Sequence, residues 1–130
     1  MVVDTSALCA VLFGEPLRER FLQTLASARE KVISSVTVLE LKTVVIGRFG
    51  AQHSAAVDDL LTSLDIVEIA FDPDQGRLAA KAMAQFGKGR HEAGLNFGDC
   101  ASYALARSRG EELLFQGEDF AKTDIQAASF

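Results

Sequence analysis

Cysteine is scarce in this chain of 130 residues, and its two cysteines, Cys9 and Cys100, lie far apart outside any CxxC pair. A disulfide framework is excluded, and both read as small core residues of a reduced, cytoplasmic protein. Histidine is equally scarce. His53 and His91, with two distant thiols, are too few for a structural zinc site. Two prolines and ten glycines in a chain that is 48% hydrophobic and 24% charged exclude disorder, collagen and coiled coil. No uncharged run approaches ~18 residues, which excludes a membrane-spanning helix. The apolar stretch Met1 to Phe13 contains Asp4 and lacks a basic flank, so no signal peptide is expected there.

Several catalytic signatures are also missing. His91-Glu92 begins like a zinc-protease motif, but Leu95 stands where the second His is required. Gly87-Lys88-Gly89-Arg90 has neither the glycine spacing nor the Ser/Thr of a phosphate-binding loop. There is no GxSxG elbow. Eighteen acids against thirteen bases give a net charge of -5, which argues against a non-specific nucleic-acid coat. The bases are uneven, however. Gln75 to His91 holds no acid but contains Arg77, Lys81, Lys88 and Arg90, either a solvated helix face or a ligand-facing one.

What is present is an alternation of short apolar strands and helices. Strands are predicted at Met1 to Asp4, Val32-Ile33, Ile66 to Ile69 and Leu113 to Phe115, with a fifth over Ile125 to Ser129. Helices are predicted over Ala7 to Phe13, Leu17 to Arg29, Val36 to Phe49, His53 to Leu64, Asp72-Pro73 to Phe86, and Asn96 to Ser108. Asp4-Thr5-Ser6, Ser34 or Ser35, Asp72 and Asn96 supply N-caps, and Gly50 and Gly110 supply stops. Strands alternating with helices imply one α/β domain over residues 1–130, with a mostly parallel sheet of four to five strands covered on both faces. In such sheets ligands bind beyond the carboxyl ends of the strands, where the strand order switches.

Four acids fall near those ends: Asp4, Glu40, Asp99 and Asp119. Each also has a purely structural reading. Asp4 can be an N-cap, Asn96 with Asp99 resembles a capping box, and Asp119 can close a turn after Gly117. Glu40 is harder to explain that way. Its helical neighbours Val36, Thr37, Thr43 and Val44 include no cation, and Asp99 is similarly placed among Leu95, Asn96, Ser102 and Tyr103. Carboxylates converging without a counter-ion repel, and oxygen-only ligands suit Mg²⁺ or Mn²⁺.

These acids lie within three longer stretches. The first is Val2-Val3-Asp4-Thr5-Ser6-Ala7 with Gly14-Glu15-Pro16. The second is Gly87-Lys88-Gly89-Arg90-His91 leading into Gly94-Leu95-Asn96-Phe97-Gly98-Asp99-Cys100. The third is Leu113-Leu114-Phe115 with Gly117, Asp119-Phe120 and Thr123-Asp124-Ile125. With Glu40 between them, the chain resembles the PIN-domain ribonucleases along its whole length, and more closely the VapC toxins of bacterial toxin–antitoxin pairs. The resemblance implies a three-layer α/β/α fold and a Mg²⁺-dependent endoribonuclease, the toxin of a type II toxin–antitoxin system, using a metal-activated water. It implies Asp4 and Asp99 as principal metal ligands, Glu40 as the third acid and Asp119 as the fourth, with Thr5 or Ser6 as a hydroxyl beside the site. It also implies a transfer or ribosomal RNA substrate, a homodimer and a VapB-type antitoxin in a hetero-oligomer. Lys88 and Arg90 are the candidate RNA-phosphate contacts. Gln116 departs from the family, standing where many relatives carry a basic residue, and Glu118 competes with Asp119 for the fourth acidic position.

Two other functions fit the sequence less well. A phosphoacceptor signalling domain needs paired acids after the first strand and a Lys ending the last, but Thr5 follows Asp4 and no Lys-Pro turn exists. A catalytically inactive PIN scaffold is disfavoured because all four acidic positions are occupied. The apolar helices Leu17 to Arg29 and Val36 to Phe49 are the expected dimer surface.

Overall fold

A computed structural model describes residues 1–130. Strand β1 (Val2–Val3) leads into α1 (Thr5–Leu12) and α2 (Arg18–Ser27), then β2 (Lys31–Ser34) and α3 (Ser35–Phe49). A 3₁₀ turn (Ala51–His53) precedes α4 (Ala55–Ser63), followed by β3 (Ile66–Ile69), α5 (Pro73–Phe86), α6 (Phe97–Arg109) and β4 (Leu113–Leu114). The strands are all parallel, in the order β3-β2-β1-β4. From β1 the chain builds outward through β2 and β3, then crosses back to place β4 on the other side. The switch in strand order therefore lies at β1, whose carboxyl end is Asp4.

The alternation of side chains along each strand divides the apolar residues between two cores. Val3, Ile33 and Leu114 face α1 to α4 and pack with Leu8, Phe21, Leu25, Leu41, Val45 and Val57. Val2, Val32 and Leu113 face α5 and α6 and pack with Phe86, Leu95, Tyr103 and Leu105. The result is the expected three-layer arrangement. No helix is long and apolar enough to cross a membrane.

Local signals set most helix ends. The Asp4 side chain accepts from the Ser6 N–H, so α1 begins at Thr5, two residues earlier than the apolar pattern suggests. Ser34 rather than Ser35 caps α3, and Asp72 caps α5 with Pro73 in its first turn. Gly110 ends α6 at φ +64°, a left-handed conformation that favours glycine. Three expectations needed correction. The helix predicted over Leu17 to Arg29 spans Arg18 to Ser27, and its N-cap Leu17 has no capping side chain. The His53 to Leu64 helix is split into the 3₁₀ turn and α4. The fifth strand shrinks to a single parallel bridge between Leu113 and Ala127. There the Tyr103 hydroxyl holds Asp124 against α6, and Ala128 alone of the segment is buried, so little apolar surface rewards a longer pairing.

Phe21 is fully buried, with its ring 4.6 Å from that of Phe130. Phe21→Ala is expected to cost about 3–5 kcal/mol, because a cavity remains where an aromatic ring was removed. Urea unfolding checks this, with an unchanged dependence on denaturant showing that only stability moved.

Candidate active site

Asp4 is 2% exposed, a carboxylate buried at the centre of the sheet's carboxyl edge. Burial of an anion is costly unless donors surround it, and here the donors are neutral. Its Oδ2 accepts from the Ser6 N–H at 3.0 Å and the Ser6 hydroxyl at 2.7 Å. Its Oδ1 accepts from the Ser102 hydroxyl at 2.6 Å. Ser102 has given its one proton to Asp4, so in its 3.1 Å contact with Thr37 it is Thr37 that donates. The Ser6 oxygen in turn accepts from the Gln116 N–H just beyond β4. Asp4 thus ties β1 to α1, α3, α6 and the chain leaving β4.

Glu40 comes from the second turn of α3, and its Oε1 accepts from the Thr5 hydroxyl. Its other oxygen lies against Gly98, where any Cβ would collide with it. Glycine at this position lets the Glu40 carboxylate approach the start of α6, within electrostatic reach of Asp99, and a Cβ there would displace it. Asp99 forms a reciprocal capping box: its backbone N–H donates to Asn96 Oδ1, and its Oδ2 accepts from the Asn96 N–H, both at 2.9 Å. The structural reading of Asp99 therefore holds alongside any chemical one.

None of Asp4, Glu40, Asp99 or Asp119 forms an ion pair. Two of them, Glu40 and Asp99, are shifted toward the protonated form. Burial pushes the Asp99 carboxyl up to about 7; the Asn96 N–H opposes the rise, and the charges of Asp4, Glu40 and Asp119 add to it. Burial raises Glu40 as well, opposed by the Thr5 hydroxyl and reinforced by Asp4. The Cys9 thiol is pushed up to about 11 by burial, then by Asp4, Glu15 and Glu40.

The structure brings Asp4, Thr5, Ser6, Glu40 and Asp99 together. Asp119 stands exposed at the rim, within the electrostatic range of Asp99; Glu118 does not figure among the charges acting there. Lys88 and Arg90 lie exposed in the loop leading into α6, and neither joins an ion pair. Arg77 is taken by Asp74. Gln116 donates its amide to Glu15 at 2.6 Å, while its buried Oε1 has no partner. Sequence reasoning missed Ser102 and Thr37. A signal was available, because each hydroxyl lies three residues from an acid on the same helix, Thr37 before Glu40 and Ser102 after Asp99.

Acids converging from three elements at the switch point of a parallel sheet agree with a family match. The family model of the PIN domain matches residues 1–126. This chain belongs to the PIN-domain family. Within it the chain is 43% identical over 127 residues to Ribonuclease VapC of Mycolicibacterium smegmatis, covering 98% of both. It is 44% identical over 125 residues to Ribonuclease VapC30 of Mycobacterium tuberculosis, covering 96% of this chain and 95% of the other. Among solved structures, Mycobacterium tuberculosis VapC20, described as a sarcin-ricin loop cleaving toxin, superposes with a TM-score of 0.79 at 20% identity. That match covers 98% of this chain and 97% of VapC20. DNA-bound VapBC from Salmonella typhimurium gives a TM-score of 0.72 at 21% identity, over 98% of this chain and 95% of that one. The chain is a PIN domain of the VapC group.

The raised Asp99 carboxyl has a stability consequence. An unfolded Asp ionises near ~3.9. Between there and about 7 the folded chain holds the extra proton, so stability from this group falls as pH rises through that window. Asp99→Asn keeps an oxygen for the Asn96 N–H and removes the charge. In metal-free buffer its melting temperature is expected to exceed that of the unsubstituted protein above pH 7, with the gap closing toward pH 4. An identical pH slope for the two proteins would contradict the convergence of charge.

Proposed function

We propose that this PIN domain is an endoribonuclease of the VapC type, the toxin of a type II pair. It would act in the cytoplasm on transfer or ribosomal RNA under the restraint of a VapB-type antitoxin. The observation that carries this reading is the set of unpaired carboxylates on three elements at the switch point, in a chain related over nearly its whole length to VapC ribonucleases. Solved relatives include VapBC complexes, which supports an antitoxin partner.

The donor set fits a hard divalent ion such as Mg²⁺ or Mn²⁺. It is oxygen-only, no Lys, Arg or His neutralises it, and Gly98 clears space for the Glu40 carboxylate. As the side chains stand, no three carboxyl, imidazole or thiol groups are drawn together tightly enough to hold a metal. Glu40 is turned to Thr5 and Asp99 to Asn96, as mutually repelling anions would be. Asp4 and Asp99 would hold the ion, with Glu40 as third ligand or water-orienting base and Asp119 completing the rim. When bound, such an ion supplies charge neutralisation and activation of water at a phosphodiester. The chain's own residues fix the frame. Ser6 and Ser102 lock the Asp4 carboxylate in one orientation, Thr5 aims Glu40, and Lys88 and Arg90, exposed in the loop before α6, would meet RNA phosphates.

Purified protein free of any partner is expected to cleave structured RNA with Mg²⁺ or Mn²⁺ and to stop in EDTA. Asp4→Asn and Asp99→Asn should each lose roughly 100-fold or more, because a neutral amide is a poor ligand for a hard cation. Full activity in EDTA would remove the metal mechanism, and an inert protein under every metal condition would favour a scaffold.

A homodimer also belongs to this proposal, on a face that keeps α3 of the expected surface and exchanges α2 for α6. Phe21 and Leu25 of α2 are consumed inside the domain. The two most exposed large apolar side chains are instead Leu39 of α3, 65% exposed, and Phe97 of α6, 80% exposed. Phe97 stands between two apolar depressions of about 350 and 300 Å³, one reaching Val36 and Val44 and the other Phe71 and Met83. Burying Phe97 in a two-fold interface would remove this surface from water. Phe97→Glu should convert a dimer to a monomer in light scattering at tens of micromolar. An unsubstituted protein that is already monomeric there would exclude the pairing.

A further inference from the structure

Arg48 is a cation that neither the acid site nor the fold accounts for. It is exposed near the end of α3 and makes no ion pair, although Lys42 on the same helix is bound to Asp58. It is nevertheless held in place. Its guanidinium lies 4.1 Å from the centre of the Phe13 ring and 5.9 Å from that of Phe49, and these rings pack against each other. An arginine over an aromatic face loses much of its freedom while keeping its N–H fork available.

Its position relates it to the acids. Glu40, Val44 and Arg48 succeed one another at intervals of four along one flank of α3. Eight residues of helix put Arg48 about 12 Å beyond Glu40. The same flank meets α1, where Thr5 bonds Glu40 at one end and Phe13 carries Arg48 at the other. Between them along α1 lies Cys9, whose sulfur is within electrostatic reach of Asp4, Glu15, Glu40 and Arg48 alike. A strand of RNA whose scissile phosphate sits over the acids, and whose backbone continues along this flank, would meet the guanidinium at a neighbouring phosphate.

We propose that Arg48, stacked on Phe13, is a phosphate-binding residue for single-stranded RNA on one side of the cleaved bond. The inference rests on the ribonuclease function proposed above and adds a subsite to it. Planar guanidinium suits two phosphate oxygens, and the contact would be sequence-independent. Phe13 is a positioning residue, acting through the arginine.

The test uses the full-length protein and a fluorescein-labelled single-stranded RNA oligonucleotide, bound in EDTA so that it stays intact, and cleavage kinetics with Mg²⁺. Arg48→Gln is expected to weaken binding roughly five- to tenfold and to raise KM more than it lowers kcat. The slope of log affinity against log salt should fall by about 0.7, the contribution of one phosphate contact on a single strand. Arg48→Lys should recover the salt slope but only part of the affinity. Phe13→Leu, which keeps an apolar side chain beneath the cation, should fall between the two. Arg77→Gln, on a guanidinium already paired with Asp74, should leave binding unchanged. Melting curves check that each variant is folded. Equal affinity, KM and salt slope for Arg48→Gln in a protein that does cleave RNA would overturn the phosphate contact and leave the ribonuclease standing. So would a loss confined to binding of an antitoxin chain, which would place Arg48 on the partner's surface. A parent protein that neither binds nor cleaves RNA would overturn the functional proposal itself.

Discussion

A buried carboxylate held by hydroxyls instead of a cation is the constraint on which the rest of this molecule turns. Asp4 ends the strand at which the sheet reverses its order, and it is almost fully removed from water. Satisfying an anion there requires donors, and the structure recruits them from Ser6 on α1 and Ser102 on α6, with Thr37 on α3 feeding the chain of hydroxyls. Four elements are thereby fixed around one side chain. A Lys or Arg in this place would have satisfied the charge more strongly, but it would also have neutralised the site. Hydroxyls orient the carboxylate and leave its negative charge intact.

The neighbouring acids inherit that choice. With no cation nearby, Glu40 and Asp99 sit in an uncompensated negative field, and both are pushed toward protonation. Each is restrained by one modest local donor, the Thr5 hydroxyl or the Asn96 N–H. Such an arrangement is costly for the protein alone and is relieved by positive charge brought from outside. The four-stranded sheet therefore works as a frame that carries carboxylates to one edge, while the two cores on its faces supply the stability this concentration of charge subtracts.

The family resemblance and the bare residue pattern had pointed to the same acids, and the structure gathers three of them while leaving Asp119 at the rim. Where the pattern fell short, the missing information was long-range. Apolar periodicity marked α2 and α3 alike as candidates for a dimer face, since it cannot tell a side chain buried inside the domain from one left at its surface. Packing of Phe21 and Leu25 into the core removed α2, while the exposure of Leu39 keeps α3 at the surface and that of Phe97 adds the start of α6 to it. The segment Ile125 to Ser129 is apolar enough to suggest a strand, but pairing also depends on what its other face can bury, and Ala128 alone is buried.

The amino-acid sequence alone determined the succession of strands and helices, most of the caps, and which acids stand next to strand ends. These are settled within a few residues, by capping donors such as Asp4, Asp72 and Asn96, by the stop at Gly110 and by the alternation of apolar residues. Tertiary structure decided what those acids experience. Ser102 lies ninety-eight residues from the carboxylate it holds, and Gly98 fifty-eight from the one it accommodates. The stacking of Arg48 on Phe13 joins two helices that no local pattern connects. Desolvation and hydrogen bonding act between groups that only folding brings within a few ångströms, so the electrostatic character of the site, unlike its membership, belongs to the fold.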